Sequence, residues 1–316
     1  MPWGAGNLSG NSGRSMRAIE LQGVTKRYDS LVAVGNLTLE IRQGSVFGLL
    51  GPNGAGKTTT LRMIMRVLVP DEGAIRILEQ PLTEQTQDLL GYLPEERGLY
   101  PRMKVREVVV FLGAMKGLPE AEADRRTRDW LERLELGAWA EKKVNDLSKG
   151  MQQKVQFIAA VIHQPPILIL DEPFAGLDPV NAVLVKDILL ELRQQGATIV
   201  LSTHRMEQVE MMCDSICLIH QGQNVLAGDL RAIKESYGKN TLRIEYTGGD
   251  DFLNQPALVE SVNRFGAVVE AKLRPGADPQ AVLRAAVERG VRLTRFELIE
   301  PPLNDIFIEK VGGARA

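Results

Sequence analysis

The stretch Gly51-Pro52-Asn53-Gly54-Ala55-Gly56-Lys57-Thr58-Thr59 constrains this chain more than any other. It follows an apolar run, Val46-Phe47-Gly48-Leu49-Leu50, which reads as a buried strand. Leu61-Arg62-Met63-Ile64-Met65-Arg66-Val67 follows with helical spacing. Strand, glycine-rich turn and helix in that order are the setting of a phosphate-binding loop. The glycines let the backbone turn tightly and aim successive N–H groups inward, forming an anion-binding nest. The helix adds unpaired N–H groups and the positive end of its dipole. Lys57 is placed to reach the β- and γ-phosphates of a nucleotide, and the Thr58 hydroxyl to ligate Mg²⁺. At ordinary residue frequencies a chance match in such a chain is roughly a one per cent event. The pattern therefore reads as a nucleoside triphosphate site and not as an incidental turn.

A second stretch supplies carboxylates. Ile167-Leu168-Ile169-Leu170 is four branched apolar residues, a strand buried on both faces as in parallel sheets, and Asp171-Glu172-Pro173 ends it. Open α/β sheets place ligands at that carboxyl end. Adjacent strand residues point oppositely, so the two acids are expected to differ in role: Asp171 for Mg²⁺, Glu172 for the attacking water. Residues 197–202 form the next buried strand and deliver Thr203 and His204 to the same edge. Upstream, Asn145 to Lys154 starts a helix with Ser148 as its N-cap or a first-turn residue, and Pro165-Pro166 stops it. Phe174-Ala175-Gly176-Leu177-Asp178-Pro179 is a loop opening a helix over 180–193.

Residues 18–24 and 37–41 alternate apolar and polar, predicting antiparallel strands with one buried face. Tyr28, just after the first, is an aromatic able to stack on adenine, a contact worth about 1–3 kcal/mol. Pro70-Asp71-Glu72-Gly73 is a turn before a strand over 74–78, and 91–96 closes another. From 105 to 163 apolar spacing turns helical and charges become dense, predicting a helical insertion between two halves of a sheet. Strands over 215–219 and 223–227 and a helix from Asp229 complete the domain.

The length of 316 residues suits about two domains. A net charge of −2 leaves no basic excess for phosphate neutralisation, so no nucleic-acid partner is expected. No apolar run approaches the ~18 residues of a membrane span. Residues 1–16 lack the apolar core of a secretory signal and read as a disordered leader, with Met16 as the expected start. Cys213 and Cys217 with His220 lack the second ligand pair of a zinc site and read as reduced thiols of a cytosolic protein.

Taken together, these residues resemble the ATP-binding subunits of ABC transporters over roughly residues 17–235. Six motifs fall in the family's order: Tyr28, the loop at 51–59, Glu95 at the glutamine-loop position, the signature at 147–151, the acidic strand with its loop to Asp178, and His204. Two positions depart from the usual pattern. Glu95 stands where the family usually has Gln, and Leu147-Ser148-Lys149-Gly150-Met151 replaces Leu-Ser-Gly-Gly-Gln. The variant is similar to the sodium-efflux and ABC-2-type export ATPases, which carry a C-terminal extension.

The resemblance implies an α/β P-loop NTPase core over 17–238, with an antiparallel β subdomain and a helical insertion about 100–160. It also implies ATP and Mg²⁺ as cofactors. Tyr28 and Gly51, Pro52, Asn53, Gly54, Ala55, Gly56, Lys57, Thr58 and Thr59 would hold the nucleotide. Thr58, Asp171 and Glu95 would hold the metal, with Glu172, His204 and Lys57 catalytic. Ser148, Lys149, Gly150 and Met151 would act in trans in a head-to-tail dimer, with Asp178 in a dimer loop. A separate membrane permease would be the second partner, holding the chain at the cytoplasmic face of the cell membrane. Residues 239–316 are expected to form a small α+β domain, with strands at 242–246, 269–273 and 291–298 and a helix at 281–288. Two rival readings are a soluble ABC ATPase acting without a permease, such as a cluster-assembly scaffold, and a P-loop switch or kinase. Ser148, Gly150 and His204 disfavour the latter.

Overall fold

In the computed structural model, residues 16–96 and 98–312 are described, so the expected leader lies outside them except for Met16. The chain divides into two compact units, one ending at Ala227 and the other starting at Gly228. The sequence had placed this change at 238/239. The difference is the end of the last strand of the first sheet and the helix that follows it.

The first unit opens with two long strands, β1 (Arg17–Tyr28) and β2 (Leu31–Arg42), then β3 (Val46–Leu50) and α1 (Lys57–Ile64). The strands β4 (Glu72–Ile77) and β5 (Gln80–Pro81), the short helix α2 (Glu84–Gln87) and β6 (Leu90–Leu93) follow. The helical insertion holds α3 (Val105–Met115), α4 (Glu120–Arg133) and α5 (Lys149–Val161). Then come β7 (Ile167–Asp171), α6 (Pro179–Gln194), β8 (Thr198–Thr203), α7 (Met206–Met212), β9 (Ser215–His220) and β10 (Gln223–Asp229).

Two sheets result. An antiparallel sheet has the order β2-β1-β4-β5, and a six-stranded sheet has the order β10-β9-β3-β8-β7-β6. In the latter β3, β6, β7, β8 and β9 run parallel, joined by helical crossovers. β3, β7 and β8 are buried at every position, the consequence of being covered on both faces. Ile19, Leu21, Leu37, Leu39 and Ile41 from the antiparallel sheet share one core with Leu49, Leu61, Ile64 and Cys217. Cys217 thus acts as a small core hydrophobe, and burial pushes its thiol up to about 12.

The second unit holds α8 (Leu230–Tyr237), β11 (Thr241–Thr247), β12 (Val259–Phe265), β13 (Val268–Leu273), α9 (Pro279–Glu288), β14 (Arg292–Ile299) and α10 (Leu303–Gly312). Its antiparallel sheet has the order β12-β13-β11-β14. Leu242 and Ile244 of β11, Val269, Ala271 and Leu273 of β13, and Val282 and Ala286 of α9 form its core. Asp278 caps α9, accepting from Gln280 N at 2.9 Å, with Pro279 at the first helical position where it loses no bond.

Candidate active site

The parallel register sets the site. Leu50 pairs with Thr203 across β3 and β8, and Asp171 pairs with Ser202 across β7 and β8. The three carboxyl ends therefore finish side by side, where such sheets bind ligands. A cleft of about 860 Å³ opens there, lined by Asn53, Gly54, Gly56, Lys57, Thr58 and Thr59 on one side and by Glu95, Asp171 and Glu172 on another.

The phosphate loop leaves β3 and enters α1 at Gly56, whose φ of 110° is a conformation other residues rarely adopt. The first-turn N–H groups of Lys57, Thr58 and Thr59 lack intrahelical acceptors, as at every helix start. Lys57 is 7% exposed and donates to the carbonyls of Gly51 at 2.9 Å and Pro52 at 3.1 Å, curling back over its own loop. Burial lowers its pKa below the ordinary lysine value, opposed by the charges of Glu172, Asp171 and Glu95. The ammonium thus lines the cleft within the electrostatic influence of three carboxylates.

Thr58 Oγ1 donates to Asp171 Oδ2 at 2.9 Å, and Ser202 Oγ donates to Asp171 Oδ1. Glu172 is held from one segment: Thr203 Oγ1 donates to Oε2 at 3.1 Å, His204 N donates to Oε1 at 3.1 Å, and His204 Nδ1 lies 2.7 Å from Oε1. Strand alternation predicts opposite directions for the two acids, yet both line the cleft. The reason is local. β7 ends at Asp171, and Glu172 has φ +49°, so the alternation has stopped before it. Their partners still differ: Thr58 and Ser202 for Asp171, Thr203 and His204 for Glu172.

Ser148 caps α5, accepting from Met151 N at 3.3 Å, and Asp178 caps α6, accepting from Asn181 N at 2.9 Å. Neither Asp178 nor any of residues 148–151 lines the cleft. The structure brings together Tyr28, most of the phosphate loop, Glu95 and the acidic pair, and holds His204 to Glu172; it leaves the signature outside.

Two family models match the chain, one described as ABC transporter over residues 34–175 and one as ATP-binding protein DrrA1-3-like, C-terminal domain, over 228–311. The chain is 44% identical over 289 residues to the uncharacterized ABC transporter ATP-binding protein YhaQ of Bacillus subtilis, covering 92% of this chain and 97% of that protein. The chain belongs to the ABC transporter ATP-binding proteins.

This ABC ATPase is also 30% identical to the linearmycin resistance ATP-binding protein LnrL of Bacillus subtilis, over 93% of this chain and 98% of that one. With the Nod factor export ATP-binding protein I of Burkholderia thailandensis it shares 37% identity over 70% and 74% of the two chains. Among solved structures, an ATP-binding subunit of an ABC transporter superposes with a TM-score of 0.65 at 34% identity, covering 70% of this chain and 93% of that one. A dimeric ATP-binding cassette, MJ0796, in a post-hydrolysis state bound to ADP and Pi, superposes with a TM-score of 0.62 at 26% identity, covering 67% and 99%.

Parts of the ABC cleft carry no local sequence signal. Leu31, Val32 and Ala33 of β2 and the start of its turn form one wall with Tyr28, and Gln221 and Gly222 close it from the β9–β10 hairpin. Gly222 N donates to Ala55 O and Gly35 N donates to Gly222 O, both at 2.9 Å, which pins that hairpin between the phosphate loop and β2. Ser202 is likewise an ordinary strand residue in the sequence, whereas Thr203 falls at the carboxyl end where the strand was expected to deliver it with His204. The parallel register of Ser202 with Asp171 is what gives it a role.

Proposed function

We propose that this cassette hydrolyses Mg²⁺-ATP as one half of a head-to-tail homodimer and thereby powers a separate membrane permease of the export kind, from the cytoplasmic face. One observation carries the reading. The cleft holds a phosphate loop and the acidic pair Asp171 and Glu172 but no signature residue, while Ser148 and Lys149 are exposed at the start of α5. A two-fold pair of such chains makes two complete sites, each phosphate loop facing the other copy's signature. The dimeric form of a cassette similar in fold supports this arrangement.

In that arrangement Tyr28 stacks on the base, and Lys57 with the loop amides from Gly51 to Thr59 binds the phosphates. The donors near Thr58 are all oxygen: its hydroxyl, the Asp171 carboxylate bonded to it and Glu95 across the cleft. Such a set fits a hard cation, which keeps waters and phosphate oxygens as its other ligands. Mg²⁺ there would neutralise charge on the β- and γ-phosphates. Glu172 orients or deprotonates the attacking water, and His204 with the second copy's Ser148 holds the γ-phosphate end. Among the described residues no helix is long and apolar enough to cross a membrane, so the reading assigns the span to the permease.

Mixing two dead variants tests the arrangement. Ser148→Arg blocks the signature, and Lys57→Ala removes the phosphate contact. Mixed dimers should regain one working site, built from the loop of the Ser148→Arg chain and the signature of the Lys57→Ala chain. No recovered hydrolysis contradicts the trans arrangement. Recovery of the native protein from membranes without a multi-span partner contradicts the permease and favours a soluble ABC ATPase.

A further inference from the structure

Lys154 lies one and a half turns into α5 and is only 5% exposed, an unusual position for an ammonium. Its Nζ donates to Leu134 O at 2.8 Å, just past the end of α4, and to Asn181 Oδ1 at 2.9 Å in the first turn of α6. Asn181 then donates through its other amide atom, Nδ2, to Asp178 Oδ2 at 2.6 Å, and through its backbone N to Asp178 Oδ1 at 2.9 Å. The carboxamide therefore stands between an ammonium and a carboxylate with its dipole aligned to both. The Asn181 donors hold the Asp178 carboxyl below the usual aspartate range.

The neighbouring residue ties the same helix to the same loop. Gln153, 3% exposed, reaches Pro173 O at 3.3 Å and Glu172 O at 3.5 Å. Close packing completes the joint, because a Cβ at Gly150 would lie 3.0 Å from Gly176 O. The start of α5 is thus fastened to both ends of the loop 172–178.

We propose that Lys154 is a positioning residue which, through Asn181, locks the signature end of α5 to the loop between Glu172 and Asp178, so that both move as one body. The inference rests on the head-to-tail reading and deepens it. The helix that presents Ser148 to the other copy's nucleotide is bonded to the loop that follows this copy's own water-activating acid. Closure over one nucleotide is then mechanically felt at the other.

The test uses full-length protein in a Glu172→Gln background, where bound ATP persists, with dimer formation followed by gel filtration across a range of Mg²⁺-ATP. Asn181→Asp is the decisive variant. One of its oxygens keeps the bond to Lys154, so packing is retained, while the other faces Asp178 Oδ2 with like charge. Lys154→Met removes the cation, and Lys154→Arg restores a donor. We expect Asn181→Asp and Lys154→Met each to need about tenfold more ATP to dimerise, the loss expected of roughly one charge-assisted hydrogen bond. Lys154→Arg should need less than Lys154→Met. Binding of a fluorescent ATP analogue to the monomer, which uses the chain's own loop, should be unchanged, and Asn181→Asp should melt no more than a few degrees below its parent.

If Asn181→Asp dimerises at its parent's ATP concentration, the lock is overturned and Lys154 only fills the core. If Lys154→Met fails to fold, Asn181→Asp and Lys154→Arg decide alone. If the Glu172→Gln parent itself never dimerises, the head-to-tail reading fails and takes this inference with it.

Discussion

Two glycines two residues apart in the phosphate loop give a sharp prediction. Gly54 has φ +77° and Gly56 has φ +110°. A methyl at Gly54 would meet nothing within 4 Å, whereas one at Gly56 would lie 2.4 Å from Ala33 O. That is about 1 Å inside ordinary contact, where repulsion rises steeply. Ala33 has little room to retreat, since its neighbours Val32 and Val34 pair with Arg27 and Lys26 of β1. Gly54→Ala should therefore cost only the left-handed backbone, about 1–2 kcal/mol. Gly56→Ala adds backbone strain of about 1–3 kcal/mol to an overpacking cost of about 1–3 kcal/mol. At roughly 2–4 °C per kcal/mol for a domain of this size, Tm should fall about 4–24 °C for Gly56→Ala and about 2–8 °C for Gly54→Ala. Differential scanning calorimetry without nucleotide measures both, and the protection given by Mg²⁺-ATP should shrink for Gly56→Ala. Equal Tm losses, or a Gly56→Ala protein that melts with the parent, would refute the claim that close approach of β2 to the loop builds this cleft.

Two further outcomes follow from charge. Burial, with the nearby Lys116 ammonium, pulls His163 down to about 4. The unfolded chain takes this proton first as pH falls below ~6.5, so the folded state should lose about 2 kcal/mol between pH 7.5 and 5. His163→Leu should flatten that part of the Tm–pH curve, and an unchanged slope would show that the group does not act. Glu95→Gln removes one of the carboxylates that line the cleft with Thr58 and Asp171. It should shift the Mg²⁺ dependence of hydrolysis to higher concentration while leaving nucleotide binding largely intact; superimposed Mg²⁺ titrations would place Glu95 outside the metal's reach.

What the sequence made legible was local. The phosphate loop, the acidic strand and the cap at Ser148 each need only a few consecutive residues, and each lies where its pattern predicts. The antiparallel strands β1 and β2 run longer than their alternation because register shifts after Leu21 and Val24 break the two-residue period. β12 escaped because it is mostly exposed, with little apolar alternation to mark it. The far wall of the cleft was invisible for a different reason: Leu31 to Ala33 and Gln221 to Gly222 come from separate strands brought together by tertiary packing. Lys154 gave no signal either, since a lysine on a charged helix reads as solvent-facing until its buried partners are known.

The central claim is that Glu172 activates water in a site completed by a second copy. Glu172→Gln keeps the shape of the side chain and leaves Lys57 and Thr58 in place, while removing the charge held by Thr203 and His204. Gel filtration in Mg²⁺-ATP, run beside a phosphate-release assay, measures both halves of the claim. Release should slow about 10²–10⁴-fold together with accumulation of a dimer held by unhydrolysed ATP. Near-normal turnover would contradict Glu172 as the base, and a dead variant that binds ATP yet stays monomeric would contradict the shared site.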